Sequence, residues 1–197
     1  MTKSDAELDV AFYERPVVEV ARDLVGCSLT VDGVGGLITE TEAYHGSEAA
    51  CHAYVGLTER TEPLYGPPGH AYVYLSYGVH NMLNAVSEPE GDAAAVLIRA
   101  IEPLWGLEQM RHRRGLENER TLCSGPGKLT QALGIGLELN RSALTEAPFE
   151  IRERSADWDA EVLGVAPRIG ITRAMELEWR FCAVGSRYLS RPIPVPS

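Results

Sequence analysis

Lysine is nearly missing from this 197-residue chain: it occurs only at Lys3 and Lys128, and arginine carries the rest of the basic charge. Arginine suits bidentate phosphate contacts, although a GC-rich genome produces the same bias. No apolar run approaches the ~20 residues that a membrane helix needs. The opening Met1-Thr2-Lys3-Ser4-Asp5-Ala6-Glu7 has no apolar signal-peptide core, so a cytoplasmic location is expected. No CxxC pair exists among Cys27, Cys51, Cys123 and Cys182, which favours reduced, buried thiols over a disulfide or metal role. Histidines 45, 52, 70 and 80 approach Cys51 in sequence, but their spacings match no zinc pattern. Internal repeats and low-complexity tracts are absent too. Excess positive charge is also lacking. The net charge of −10 argues against a nucleic-acid binder, since phosphate contacts favour a basic surface. The acids gather at Glu88, Glu90 and Asp92 and at Asp157, Asp159 and Glu161, whereas Arg111-His112-Arg113-Arg114 forms a basic cluster.

What is present is an ordinary globular composition, long enough for one substantial core. Residues 1–11 read as a flexible N-terminal tail and 12–197 as a single domain. Pro16 opens an apolar-periodic helix over 17–24 that Gly26 can close. Residues 27–31 and 36–43 read as a hairpin around Asp32-Gly33. Residues 46–69, rich in Gly, Pro and Thr, predict a long ordered loop, a feature that is usually functional or disordered. An apolar strand over 93–101 is interrupted by Arg99. Helices are expected over 105–114 and 128–133, and further strands at Ile151, 169–171 and 179–184. This mixed order predicts an α+β fold with a curved, largely antiparallel sheet flanked by helices and a protruding β-hairpin.

Two short segments carry the chemistry. Alternation along Ile38-Thr39-Glu40-Thr41-Glu42-Ala43-Tyr44 places Ile38, Glu40, Glu42 and Tyr44 on one strand face. In Tyr72-Val73-Tyr74-Leu75-Ser76-Tyr77-Gly78 the first two tyrosines share a face, and Tyr77 falls at or near a hairpin tip. Core packing explains Tyr72 and Tyr74 but explains Tyr77 poorly. Glu42 is the candidate base. Arg99 in an apolar strand must find a carboxylate, phosphate or water, and Glu42 is one candidate partner. Asn84 reads by propensity as a turn or edge residue. Ser124-Gly125-Pro126-Gly127 could offer helix N-terminal amides to a phosphate, without the full spacing of a nucleotide fingerprint. A tip aromatic beside a tyrosine pocket with one carboxylate suits an enzyme that removes a flat ring from a stack and cuts a bond to it.

Six segments, in order, resemble the alkyladenine (3-methyladenine) DNA glycosylase family of bacterial type. They are Glu40-Thr41-Glu42-Ala43-Tyr44; Ala50-Cys51-His52; Tyr72 to Gly78; Asn81-Met82-Leu83-Asn84; Leu97-Ile98-Arg99-Ala100-Ile101-Glu102-Pro103; and Leu122-Cys123-Ser124-Gly125-Pro126-Gly127-Lys128-Leu129. The likeness runs from about Phe12 to Tyr188. It implies a monofunctional glycosylase that flips a damaged purine from duplex DNA and hydrolyses its N-glycosidic bond, initiating base excision repair. Methylpurines, hypoxanthine and ethenoadenine are the implied lesions. Glu42 would activate the water and Arg99 help to hold it. Tyr44, His52 and Tyr74 would sandwich the base, Tyr77 would fill the vacated stack, and Asn84 would police the purine's 2-position. Lys128 is placed with the DNA-binding residues. The implied partner is double-stranded DNA containing a damaged purine, met by a monomer with no membrane and no obligate protein partner, nucleoid-associated in a bacterium. No metal or cofactor is implied.

The chain departs from the family in Thr58-Glu59-Arg60-Thr61-Glu62-Pro63-Leu64-Tyr65, where Thr61 replaces Asn and Leu64-Tyr65 replaces Met-Phe. His80 stands where eukaryotic relatives carry an aromatic. Two other classes fit less of the sequence: a non-catalytic nucleic-acid or ligand-binding module, and a metal-dependent hydrolase using the His and Cys residues.

Overall fold

The computed structural model describes residues 6–155, 158 and 163–193. Helices α1 (Val10–Tyr13) and α2 (Val17–Leu24) precede a hairpin of β1 (Ser28–Val31) and β2 (Val34–His45). Then come β3 (Ala71–Ser76), β4 (His80–Val86) and β5 (Ala94–Trp105), and helices α3 (Leu107–Arg114), α4 (Glu119–Leu122) and α5 (Pro126–Leu133). Strands β6 (Phe149–Arg152), β7 (Leu163–Ala166) and β8 (Arg180–Ala183) complete the order. Each strand pairing is antiparallel, in the sequence β3-β4-β5-β2-β1-β6, and β8 joins β2 to β7. The result is the expected α+β arrangement with a curved sheet.

Local chemistry explains several elements. Val17, Val20, Ala21 and Leu24 recur at helical spacing and form the buried face of α2. The Glu88 carboxylate accepts the Val17 amide at 2.9 Å, satisfying one of the helix's free N-terminal donors. Asp32 and Gly33 both take positive φ, as a tight two-residue hairpin turn requires. Leu8 is buried against the main core, although it lies within the expected tail; residues 1–5 of that tail fall outside the described residues.

Two irregularities matter for the site. Ile38 pairs with Ile101 and Glu40 with Ala100, so Thr39 is an extra residue on β2. Thr41 then pairs with Ile98, leaving Arg99 as the extra residue on β5. Strict alternation fails here: Ile38 packs in the main core, on the side where the Thr41 hydroxyl donates to Ala21 O of α2 at 2.7 Å. Glu40, Glu42 and Tyr44 face the other way with Arg99.

Further differences from the sequence reading are local. Trp105 ends β5 rather than opening α3, and α5 begins at Pro126. Residues 169–171 form no strand, whereas Leu163–Ala166 does. Asn84 is neither turn nor edge: it is buried within β4, between Tyr72 of β3 and Leu97 of β5. Asp157, Asp159 and Glu161 lie outside the described residues. All four cysteines are free and buried. Among the described residues, no helix is long and apolar enough to cross a membrane.

Candidate active site

A second, smaller apolar cluster, with Cys51, Ala53, Leu64, Tyr72, Val86, Ala93 and Ala95 at its centre, lies apart from the main core. Half-buried Tyr44 and Tyr74 pack on it and line a cleft of about 490 Å³. That volume suits a small organic ligand or a nucleobase. Tyr44, His52, Tyr74, Tyr77, Asn84 and Arg99 all line it, so the fold brings together every expected site residue except Glu42 and Lys128. Lys128 is exposed on the first turn of α5, outside that lining.

Glu42 is fully buried one layer beneath the lining. Its Oε1 accepts the Ile169 amide at 2.6 Å; its Oε2 accepts the Tyr44 hydroxyl at 2.8 Å and Arg99 Nη1 at 3.0 Å. All three donors belong to residues that line the cleft. Burial pushes the Glu42 carboxyl above the usual carboxylate range, while Arg99, the Ile169 amide and the Tyr44 hydroxyl oppose that rise. Burial and then the neighbouring Glu42 carboxylate raise Tyr44, which keeps its phenol neutral.

The sequence pairing of Arg99 with Glu42 holds, but Arg99 has more partners. Its Nε donates to Glu40 Oε1 at 2.9 Å, and its Nη2 donates to Ser190 Oγ at 3.2 Å. Glu40 also receives Arg180 Nε at 2.8 Å, the Ser190 amide at 2.6 Å and the Ser190 hydroxyl at 2.7 Å. Glu40, Glu42, Arg99 and Arg180 thus form a buried, charge-balanced cluster whose back wall is the C-terminal segment. A second buried pair supports the aromatic wall. Arg168 bonds both oxygens of Glu48 at 2.6 and 3.0 Å, and its guanidinium lies 4.7 Å from the Tyr44 ring centroid and 5.4 Å from that of Trp179. Sequence reasoning missed Glu40, Arg180 and Ser190 as a network, Arg168 and Glu48 as a brace, and the Ile169 amide.

Tyr74 also belongs to an aromatic cluster in the cleft lining, on which Arg60 closes. Tyr72 and Tyr74 stack at 5.2 Å, and His52 meets Tyr74 edge-on at 4.6 Å. Arg60 Nη2 lies 3.3 Å from His52 Nε2. A guanidinium has only donors, so Nε2 accepts; the ring proton is then on Nδ1, which donates to the Tyr72 hydroxyl at 3.1 Å. Burial, reinforced by Arg60, lowers His52 to about 4, and burial pushes Tyr74 up to about 12. All three rings are therefore neutral at pH 7. The sign of the linkage is definite. The unfolded chain, with an ordinary histidine near 6.5, takes up a proton before the folded one as pH falls. The contribution of neutral His52 to stability is complete above about pH 6.5 and is lost between there and 4. His52→Gln should flatten the stability-versus-pH curve across that window in paired urea titrations; parallel curves would contradict a buried neutral imidazole.

Tyr77 occupies the tip of the β3–β4 hairpin with φ +49° and is 95% exposed, flanked by exposed Leu75 and Val79. A non-glycine residue held in left-handed backbone, with its ring in water, costs about 1–3 kcal/mol and points to a function. The hairpin is anchored behind its tip. Thr130 of α5 donates to Asn81 O at 2.8 Å, and Asn81 Nδ2 donates to Ile135 O at 3.0 Å. Gly127 permits this approach, because a Cβ there would lie 2.8 Å from His80 Cβ. His80 therefore packs against the start of α5. Among the described residues no three His, Cys, Asp or Glu side chains converge as metal ligands.

A buried, hydrogen-bonded carboxylate lies under an aromatic cleft, beside a protruding aromatic tip, a combination with room and stacking surfaces for a flat ring. The chain matches the methylpurine-DNA glycosylase family over residues 11–187 and belongs to it. Relatives provisionally named 3-methyladenine DNA glycosylase include one from Bradyrhizobium diazoefficiens, 53% identical over 184 residues, covering 93% of this chain and 90% of that one. One from Rhizobium meliloti is 51% identical, covering 93% and 96%. Another from Nitrosospira multiformis is 47% identical over 196 residues, covering 100% and 98%.

Proposed function

We propose that this chain is a monofunctional DNA glycosylase that flips alkylated purines, such as 3-methyladenine and 7-methylguanine, from duplex DNA and hydrolyses the N-glycosidic bond with a water activated by Glu42. The observation that carries this reading is the Glu42 carboxylate, held by Tyr44, Arg99 and the Ile169 amide directly beneath the aromatic cleft. Since His52 and Tyr74 already touch, the ring would enter between that pair and Tyr44. Neutral, electron-rich rings can stack on a flat purine, and neutral His52 adds no positive charge against an alkylated one. Alkylation at N3 or N7 makes the purine a good leaving group. The C1′–N9 bond breaks with its electron pair moving onto the cationic ring, a water oxygen bonds to C1′, and the water's proton passes to Glu42. Three of the five N–H bonds of Arg99 are engaged by Glu40, Glu42 and Ser190, which leaves two for holding the water. The test is release of free methylpurine from alkylated duplex in EDTA buffer, identified by chromatography. Release that requires a divalent metal, or binding without release, would overturn the reading.

Two roles are separately testable. Tyr77, in the strained tip, would refill the stack and offset an unstacking cost of a few kcal/mol. Tyr77→Ala should slow excision from duplex by about tenfold or more and spare a single-stranded lesion. Equal losses on both substrates would make Tyr77 a packing residue. Asn84 lines the cleft, and its Nδ2 donates to Tyr72 O at 3.0 Å; so held, the amide would clash with the 2-amino group of a guanine in the cleft. Asn84→Ser should raise guanine excision relative to methylpurine by about tenfold, the scale of one misfitting group in a pocket. An unchanged ratio would remove Asn84 from lesion selection.

A further inference from the structure

Arg60 is the one cationic side chain that closes on the aromatic wall from the long loop. Its guanidinium lies 5.5 Å from the Tyr74 ring centroid and donates to His52 Nε2. The neighbouring Glu62 is paired with Arg141 at 2.5 Å, and no carboxylate among the described residues pairs with Arg60. Its charge is therefore uncompensated at the cleft mouth. The other arginine of the cleft, Arg99, is held by Glu40 and Glu42.

We infer that Arg60 is a charge-selecting residue of the cleft, favouring neutral purine lesions with an exposed oxygen or nitrogen acceptor over cationic N-alkylpurines. The inference rests on the glycosylase reading above. A cationic ring stacked on Tyr74 would lie close to the guanidinium, where like charges repel even though Arg60 itself is exposed to solvent. A neutral ring such as hypoxanthine instead presents O6 and N7, both acceptors that a guanidinium can bond bidentately. The same contact would assist the harder chemistry. When the C1′–N9 bond of a neutral purine breaks, its electron pair leaves negative charge on the ring. Arg60 N–H groups would stabilise that charge without giving up a proton. Water oxygen still bonds to C1′, its proton goes to Glu42, and the purine anion takes a proton from solvent. His52 completes the device: its accepting Nε2 holds the guanidinium at the cleft until a base displaces it.

The test compares single-turnover release of 7-methylguanine and hypoxanthine from one duplex sequence, at subsaturating enzyme, for wild type, Arg60→Met and Arg60→Lys. The expected result is that Arg60→Met lowers hypoxanthine release and raises methylguanine release, moving their ratio by about tenfold or more. Arg60→Lys, which keeps the charge but not the fork, should restore the discrimination against methylguanine and only part of the hypoxanthine rate. Parallel changes for both lesions, or a ratio that moves less than about threefold, would overturn the inference while leaving the glycosylase reading intact. Absence of release of either base by the wild-type protein would instead overturn the glycosylase reading.

Discussion

Glu42→Gln is expected to keep lesion-duplex binding and to lose base release by about 10²- to 10⁴-fold, the usual contribution of a positioned base. The amide oxygen can still accept from the Ile169 N–H, but its NH₂ end would face two donors, Arg99 Nη1 and the Tyr44 hydroxyl. The Tyr44 hydroxyl can turn and accept; the guanidinium cannot. Some loss of stability therefore accompanies the loss of rate, so release should be read under single-turnover conditions at saturating enzyme. Because burial raises the Glu42 carboxyl, wild-type release should fall as pH drops and that group takes its proton, and this acid limb should vanish from the residual rate of the variant. Release within threefold of wild type would remove Glu42 from the chemistry.

Glu40→Gln should cost about 3–5 kcal/mol of folding stability, as expected when one partner of a buried ionic cluster is removed. The Glu40 carboxylate is fully buried and accepts from Arg99, Arg180 and Ser190; neutralising it leaves Glu42 as the carboxylate for Arg99 and removes the one that Arg180 pairs with. For a protein of this size each kcal/mol corresponds to about 2–4 °C, so the midpoint should fall by roughly 6–20 °C. Base release should also drop below its wild-type rate at temperatures where the variant remains folded, because Arg99 loses the contact that aims it at Glu42. Calorimetry alongside release at 20 °C or below separates the two effects. A midpoint shift under about 2 °C would show that the cluster contributes little to stability.

The parts of this site that were legible in the sequence are those fixed by local rules. Pro16 and Gly26 bracket α2, Asp32-Gly33 turns the first hairpin, and Gly78 after Tyr77 puts an aromatic at a tip. Arg99 in an apolar strand called for a carboxylate, phosphate or water partner, and Glu42 is one of the carboxylates that supply it. What escaped depends on distant chain segments. Glu40 reads as an alternate strand residue, yet its partners Arg180 and Ser190 lie 140 and 150 residues away. The bulges at Thr39 and Arg99 leave no mark in composition, so Ile38 could not be separated from the glutamate face. Ile169 and Ile171 carry strand propensity, but their segment is spent as loop, one amide serving Glu42. Asn84 defies strand propensity because its side chain bonds the Tyr72 carbonyl across the hairpin. Four-residue α1 is too short for any periodicity to register.

On the mechanism proposed above, water held by Glu42, and not an amine of the protein, cleaves the glycosidic bond. With Lys3 and Lys128 the only lysines, Lys128 at the start of α5 is the natural competitor nucleophile. A single turnover on a duplex containing one 7-methylguanine, run with and without borohydride, decides between them. The expected result is one equivalent of free base, a strand that stays whole until alkali opens the abasic site, and no protein–DNA adduct under borohydride. A trapped adduct that disappears in Lys128→Arg, or strand scission before alkali, would assign the cleavage to the lysine instead of to water.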